Sequence, residues 1–258
     1  MNTIELKGIT KIFGGLAAVS SLDLTVAKGE IHGLIGPNGS GKSTTLNLIS
    51  GQYIPTSGQI LLGGRDITRV PPAERTVLGI ARTFQNIRLF RRLSVLDNVM
   101  VSRYCRTRSG LVPVFLRLPS ERREEAQARE AALAALRVVD MDGRADALPG
   151  DLPYGQQRLV EIARALATDP QVLMLDEPAA GMNPTEKRDL QLLIARLNRE
   201  HQLTILLVEH DMDLVMAACG RLTVLNFGAK IGEGSAYEVR ANPDVIEAYL
   251  GSEEAVGA

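Results

Sequence analysis

Apolar and polar side chains alternate along Ile4–Thr10 and Val19–Val26, the period of a half-buried strand. Glu30–Ile35 is a shorter run that ends at Gly36, and TLNLIS a few residues later has helical spacing. Gly51, Pro55 and Gly58 punctuate the next stretch, and Gln59–Leu62 reads as a strand before the Gly63-Gly64 turn. From about Gln85 to Leu152 the texture changes. Val95–Tyr104 looks helical, and Glu121–Val139 is rich in Ala, Glu and Arg, all strong helix formers. Between them Ser109–Pro119 is too interrupted by proline for a helix. After Gly155 the alternation resumes: a helix over Gln156–Thr168 and a buried strand over Val172–Leu175. A helix over Thr185–Glu200 then carries Leu190, Leu193, Ile194 and Leu197 on one face, and a second buried strand covers Leu203–Val208. Strands that alternate with helices predict a mainly parallel sheet covered on both sides.

Composition narrows the picture. With 258 residues and 45% hydrophobic side chains, the chain is long enough for one large domain with an insertion. Its formal net charge of -1 gives no footprint for nucleic acid. The 4% aromatic content, with no Trp, argues against stacking platforms for bases or sugars. Cys105 and Cys219 form no CxxC or Cys/His cluster, so neither a disulfide framework nor a zinc site is expected, and a reducing compartment fits. The first ten residues do not read as a signal peptide. The longest clean apolar run, Leu203–Val208, is far short of the roughly 18 residues of a membrane-spanning helix.

Candidate chemistry gathers at strand ends. Gly36-Pro-Asn38-Gly39-Ser40-Gly41-Lys42-Ser43-Thr44 matches G-x-x-x-x-G-K-[ST], and it follows a predicted strand and precedes a predicted helix, the context this motif needs. Such glycines let backbone N–H groups face phosphate oxygens, and the helix adds its positive end. Lys42 would reach the β- and γ-phosphates, and the Ser43 hydroxyl would ligate Mg²⁺. Further on, the apolar strand at Val172 ends in Asp176-Glu177. Asp176 suits support of Mg²⁺, and Glu177, pointing elsewhere, can polarise a water. Together these are the marks of a P-loop nucleotide hydrolase.

Three more segments refine that class. Leu152-Pro153-Tyr154-Gly155-Gln156-Gln157-Arg158 precedes a helix, Gln85 closes a probable strand at the border of the helical insert, and His210 follows the strand Leu203–Val208. In this order the set resembles the ATP-binding cassette (ABC) ATPases over nearly the whole chain. The resemblance implies an α/β fold: a P-loop NTPase core with an N-terminal antiparallel β region and an inserted helical subdomain. The division would be 1–85 and 156–240 for the core, 86–155 for the helical subdomain, and 241–258 for a C-terminal helix and tail. It implies roles too. Gln85 would contact Mg²⁺ or the attacking water. Tyr154, Gly155 and Gln156 would bind the γ-phosphate of ATP held by a second subunit. His210 would hydrogen-bond the γ-phosphate, and Phe13 would stack on adenine. Taken singly, Gln85 also reads as a polar edge residue, Phe13 as core and His210 as structural; the joint order gives them their roles. His32 and His201 match no motif and read as structural.

The sequence departs from the family in two places. Where the family has Leu-Ser-Gly-Gly-Gln, Pro153 removes a hydroxyl and an N–H, which implies a weaker contact to the cross-subunit phosphate. After the Asp-Glu strand, Asn183 stands where the family often has Asp. These variants, with Glu209-His210-Asp211-Met212 and the ending Asn242–Gly251, are similar to the longer ATP-binding subunit of branched-chain (hydrophobic) amino acid importers; urea or amide importers would carry nearly the same motifs. The resemblance implies ATP and Mg²⁺, a head-to-tail dimer with a second ATPase subunit, by resemblance a paralogue, two integral-membrane permease subunits and indirectly a solute-binding protein. The chain would sit peripherally on the cytoplasmic face of the inner membrane. Soluble ABC ATPases of DNA repair or translation are the alternative class, although those usually carry long coiled-coil insertions or two cassettes. A small-molecule kinase on the same core would lack the signature and His210. Within the insert, Leu111, Val112, Val114, Phe115, Leu116 and Leu118 lie among Arg103, Arg106, Arg108, Arg117, Arg122 and Arg123. They read either as a packed loop with solvated charges or as a surface for the permease or anionic headgroups.

Overall fold

The alternation at the N-terminus becomes two long strands, β1 (Asn2–Phe13) and β2 (Leu16–Ala27), paired antiparallel. A computed structural model describes residues 2–106 and 119–254. Strands β4 (Ser57–Leu62) and β5 (Arg65–Asp66) extend the pair into a four-stranded sheet of order β2-β1-β4-β5. Its inward residues, among them Ile4, Leu6, Leu22, Leu24 and Ile60, are all buried.

The second sheet has six strands in the order β10-β9-β3-β8-β7-β6. These are β3 (Ile31–Ile35), β6 (Ile80–Arg82), β7 (Val172–Asp176), β8 (Thr204–Val208), β9 (Arg221–Asn226) and β10 (Ala229–Gly234). All pairings are parallel except β9 with β10 at the edge. Strands β7 and β8 are buried at every position, which is why they read as unbroken apolar runs rather than alternating ones. Alternate residues of these strands serve two cores. Leu34, Met174, Leu206 and Val208 face the four-stranded sheet and α1 (Lys42–Ile49). Ile35, Leu173, Leu175, Ile205 and Leu207 face the helical side.

On that helical side lie α3 (Val95–Arg103), α4 (Pro119–Val138), α5 (Tyr154–Leu166), α6 (Pro184–His201) and α7 (Met212–Ala218). Helices α3, α4 and α5 pack on one another; α3 and α4 fall within the expected insert at 86–155, whereas all but the first two residues of α5 lie beyond it. The buried Ala128, Ala132 and Ala135 of α4 share one core with Val95, Val99 and Ile162. A short α2 (Pro72–Val77) precedes β6, and α8 (Ala236–Arg240) and α9 (Pro243–Glu254) close the chain. No helix among the described residues is long and apolar enough to cross a membrane.

Register decides where the loops emerge. Leu34 and Asp176 both pair with Val208, and Arg82 pairs with Met174. The segments after β3, β6, β7 and β8 therefore leave the sheet along one carboxyl edge, where ligands bind in open α/β sheets. Strand β6 stops at Arg82, so Gln85 lies in the loop beyond it rather than at the strand's end. The apolar cluster at 111–118, with Arg108 and Arg117, lies outside the described residues. Arg103 and Arg106 are engaged: they donate to the carbonyls of Ala167, Thr168 and Asp169 after α5 (2.6–3.2 Å).

Candidate nucleotide site

The loop from β3 to α1 wraps through left-handed glycines. Gly36, Gly39 and Gly41 have φ of 145°, 77° and 105°. A Cβ on Gly36 would meet Leu225 O at 2.1 Å, and one on Gly41 would meet Ala18 O at 2.6 Å, so the turn has no space for side chains there. Helix α1 begins at Gly41 without a side-chain cap, which leaves the first N–H groups of its opening turn free of intrahelical partners. The Ser40 hydroxyl is buried in the same loop with no partner among the described residues. A cradle of unpaired donors fits a phosphate chain. Lys42 Nζ lies inside it, donating to the carbonyls of Gly36 (2.7 Å) and Pro37 (2.9 Å). Burial pushes its pKa below the ordinary lysine value, against the opposing pull of Glu177 and Asp176.

A cavity of about 170 Å³ is lined by Asn38, Gly39, Ser40, Gly41, Lys42, Ser43, Thr44 and Ala18, and also by Glu177 and His210. Glu177 follows β7 in the left-handed region (φ 47°), and its N–H donates to Val208 O (2.8 Å). Its Oε2 accepts from Gln85 Nε2 (2.6 Å), and its Oε1 lies 2.7 Å from His210 Nε2. Residues 85, 177 and 210, far apart in sequence, thus converge on one carboxylate beside the phosphate cradle.

Several links within the site are not visible in the sequence. Asp176 is nearly buried, and its Oδ2 accepts from Arg82 Nη2 (2.8 Å). Arg82 Nη1 also holds Asn47 Oδ1 (2.6 Å) and Ser50 Oγ (3.3 Å) on the α1 side. Buried Glu209 accepts from the N–H groups of Ala179 (2.7 Å) and His210 (3.0 Å), tying the turn after Glu177 to the His210 loop. Burial raises its carboxyl pKa, against those hydrogen bonds. Arg158, wholly buried, donates to Phe84 O and Gln85 O (2.6 Å each) and to Glu161 Oε2 (3.0 Å). The signature helix therefore grips the Gln85 loop. The sequence shows none of the links from Arg82 to Asp176, from Glu209 to Ala179 or from Arg158 to the Gln85 loop, because each joins residues 30 or more positions apart.

The remaining candidates fall elsewhere. Gly155 and Gln156 line a separate cavity of about 520 Å³ with α6, Met141 and Met182; within the chain they do not reach the phosphate cradle. Helix α5 starts at Pro153 with no side-chain cap, and Tyr154 is exposed. Phe13 is exposed, not core: it meets Tyr53 edge-on at 5.2 Å between centroids, and Lys11 Nζ lies 4.9 Å from its ring. Asn183 caps α6 in a reciprocal box with Glu186, a local use for the amide where the family often has Asp. His32 is a buried structural histidine held by Glu30 (3.0 Å) and Thr223 (2.9 Å).

A family profile described as ABC transporter matches residues 19–180. The chain belongs to the ABC transporter ATPases. A second profile, the branched-chain amino acid ATP-binding cassette transporter, matches residues 229–255 of this ATPase. The chain is 44% identical over 248 residues to the high-affinity branched-chain amino acid transport ATP-binding protein BraF of Pseudomonas aeruginosa, covering 96% of this chain and 97% of that one. It is 43% identical, with the same coverage, to the corresponding protein LivG of Escherichia coli K12. Among solved structures it resembles the ADP conformation of MJ1267, an ATP-binding cassette of an ABC transporter, with a TM-score of 0.84 and 33% identity over 97% of this chain and 99% of that one. A dimeric cassette, MJ0796, matches with a TM-score of 0.76 and 28% identity over 90% of this chain and 98% of that one. The P-loop fold with its antiparallel region and helical subdomain, and the assignment as an ATP hydrolase, are therefore those expected.

Proposed function

We propose that this ATPase powers uptake of branched-chain amino acids through separate permease subunits. The observation that carries the ATPase reading is Glu177, held by Gln85 and His210 at the wall of the phosphate cradle. The importer reading rests on the names of the relatives and the match at residues 229–255. Those names favour it over a repair or translation ATPase and over urea or amide import.

In this reading the backbone N–H groups of Gly39 to Thr44 and Lys42 hold the β- and γ-phosphates. Phe13 offers its exposed ring to adenine. The Ser43 hydroxyl and Asp176, with Gln85 nearby, form the oxygen donor set for Mg²⁺; Oδ1 of Asp176 takes no hydrogen bond from the described residues, and hard oxygen donors suit that ion. Bound there, Mg²⁺ would neutralise charge on the β,γ-oxygens. Glu177 orients and deprotonates the attacking water, and His210 meets the γ-phosphate and fixes the Glu177 carboxylate. Tyr154, Gly155 and Gln156 complete the site of a second subunit in a head-to-tail pair, a role supported by Gly155 and Gln156 lining a cavity separate from this chain's own cradle. Closure on ATP and opening after hydrolysis pass to two permease subunits fed by a solute-binding protein. The partner ATPase is a paralogue, and the assembly sits on the cytoplasmic face of the membrane.

The test is Glu177→Gln in the assembled transporter. ATP binding should stay within a few-fold of wild type while hydrolysis falls by about 10²–10⁴, the usual worth of a general base. Turnover near wild type would remove Glu177 from that role. Leucine, isoleucine or valine with the binding protein should raise the ATPase rate of the wild-type complex; stimulation by urea alone would redirect the solute assignment.

A further inference from the structure

Arg82 is a nearly buried cation at the edge of the nucleotide site, with no part in the hydrolytic step. Arg82 and Asp176 form an ion pair whose side chains are 8% and 7% exposed. Solvent and salt screen such a pair little. Stability does not account for it: a buried ion pair often gains nothing over an apolar pair of the same volume. Arg82 is not even fully satisfied, since its Nε is buried with no partner among the described residues. Its guanidinium is nevertheless fixed from three sides. Asp176 takes Nη2, Asn47 and Ser50 take Nη1, and the ring of Phe84 lies 5.2 Å from its central carbon.

We infer that Arg82 shares the charge of Asp176 with the divalent ion, so that the carboxylate holds Mg²⁺ loosely enough to let the spent nucleotide leave. The inference rests on the reading of Asp176 as a magnesium-side carboxylate. The physical reason is direct. A carboxylate already paired at Oδ2 offers a second cation a reduced charge at Oδ1, and the guanidinium itself repels that cation in a site with little water. Arg82 is thus a positioning and charge-setting residue, not a catalytic one. It also bridges two parts of the site. Asn47 and Ser50 link it to α1, which carries the phosphate cradle, and Phe84 precedes Gln85. A shift of the Gln85 loop would act on the same guanidinium that sets the charge of Asp176.

The sign of the effect separates this role from a structural one. The measurement is the ratio of ADP dissociation constants without and with Mg²⁺, by titration calorimetry on the purified chain, a coupling that reports metal affinity without turnover. Arg82→Gln should raise the ratio by about tenfold, within the usual range of such couplings, and slow release of Mg²⁺-ADP in stopped flow. A merely structural Arg82 would lower the ratio or leave it unchanged, and either result overturns the inference. Arg82→Lys keeps the charge and most of the volume, and should keep the ratio within twofold of wild type. If the glutamine variant does not fold, the lysine variant decides: a ratio moved by more than that, in either direction, counts against charge sharing. Asp176→Asn is the control for the underlying reading. An unchanged ratio there removes Asp176 from the metal site, whereas a lowered ratio there with no rise in Arg82→Gln sinks only the role of Arg82.

Discussion

Glu177 is constrained in backbone and side chain together. A left-handed φ costs a non-glycine residue of the order of 1–3 kcal/mol and persists only where the surroundings enforce it. Here the enforcement is visible: its N–H is bonded to Val208 O, and both its carboxylate oxygens are engaged, by Gln85 and by His210. Asp176 ends β7 in extended backbone while Glu177 turns away, so adjacent carboxylates face different tasks. The same logic at Gly41 yields a prediction. Its φ of 105° and the 2.6 Å approach of an added Cβ to Ala18 O leave no room for alanine. The obstacle is the backbone of β2, not a flexible side chain. Gly41→Ala should therefore distort the cradle and weaken ATP binding by at least about tenfold, roughly the loss of one charge-assisted hydrogen bond, as read by calorimetry. Gly63→Ala, in an exposed turn where the added Cβ meets nothing, should leave affinity unchanged.

The clearest linkage at the level of elements is between α5 and the loop at 84–88. Arg158, Glu161 and Arg164 recur on one face of the helix and bind Phe84 O, Gln85 O, the Arg88 N–H and Arg88 O, with distances of 2.6–2.7 Å. The loop borrows its shape from the signature helix, and the helical subdomain cannot rotate without carrying Gln85. Removing Arg158 would take the donor from the Phe84 and Gln85 carbonyls and the guanidinium partner from the buried Glu161 carboxylate. Arg158→Ala should cost about 3–5 kcal/mol, the range for breaking a buried charged pair, seen as a lowered denaturation midpoint. Arg158→Lys should recover only part, because an ammonium lacks the fork that reaches both carbonyls. This linkage was not legible in the sequence. The cradle and the Asp-Glu pair were, because their chemistry sits in contiguous residues flanked by a strand and a helix. Arg158 belongs to the signature, but nothing beside it in the sequence points to its partners, which lie 73–74 residues away. The long strands and helices were legible through their period. Strands β5 and β6 and helix α2, at two, three and six residues, are too short to show one, so the sequence alone places Gln85 at a strand end.

Over the whole molecule, the six-stranded sheet is shared by two cores, and the functional loops leave its one carboxyl edge between them. Leu34 serves one core and Ile35 the other, so neither side of the sheet should loosen without disturbing β3 and the cradle that follows it. Cys219 offers a probe of that cooperativity. It is buried in the helical-side core, and a Cβ on Gly33 of β3 would lie 3.1 Å from its sulfur. Burial pushes its thiol up to about 12. Only the thiolate reacts, so at pH 9 about one part in a thousand of such a thiol is reactive, whereas an ordinary thiol is mostly ionised. Because the folded state raises this pKa, its contribution to stability is present below the unfolded value and is lost as pH rises toward the folded one. In a Cys105→Ser background, labelling of Cys219 at pH 9 should thus proceed only through unfolding. Its rate should match global unfolding measured by circular dichroism and rise in Arg158→Ala. Labelling much faster than unfolding would mean that the helical-side core opens alone while the nucleotide edge stays closed, and the two cores would then be separate mechanical units despite the sheet they share.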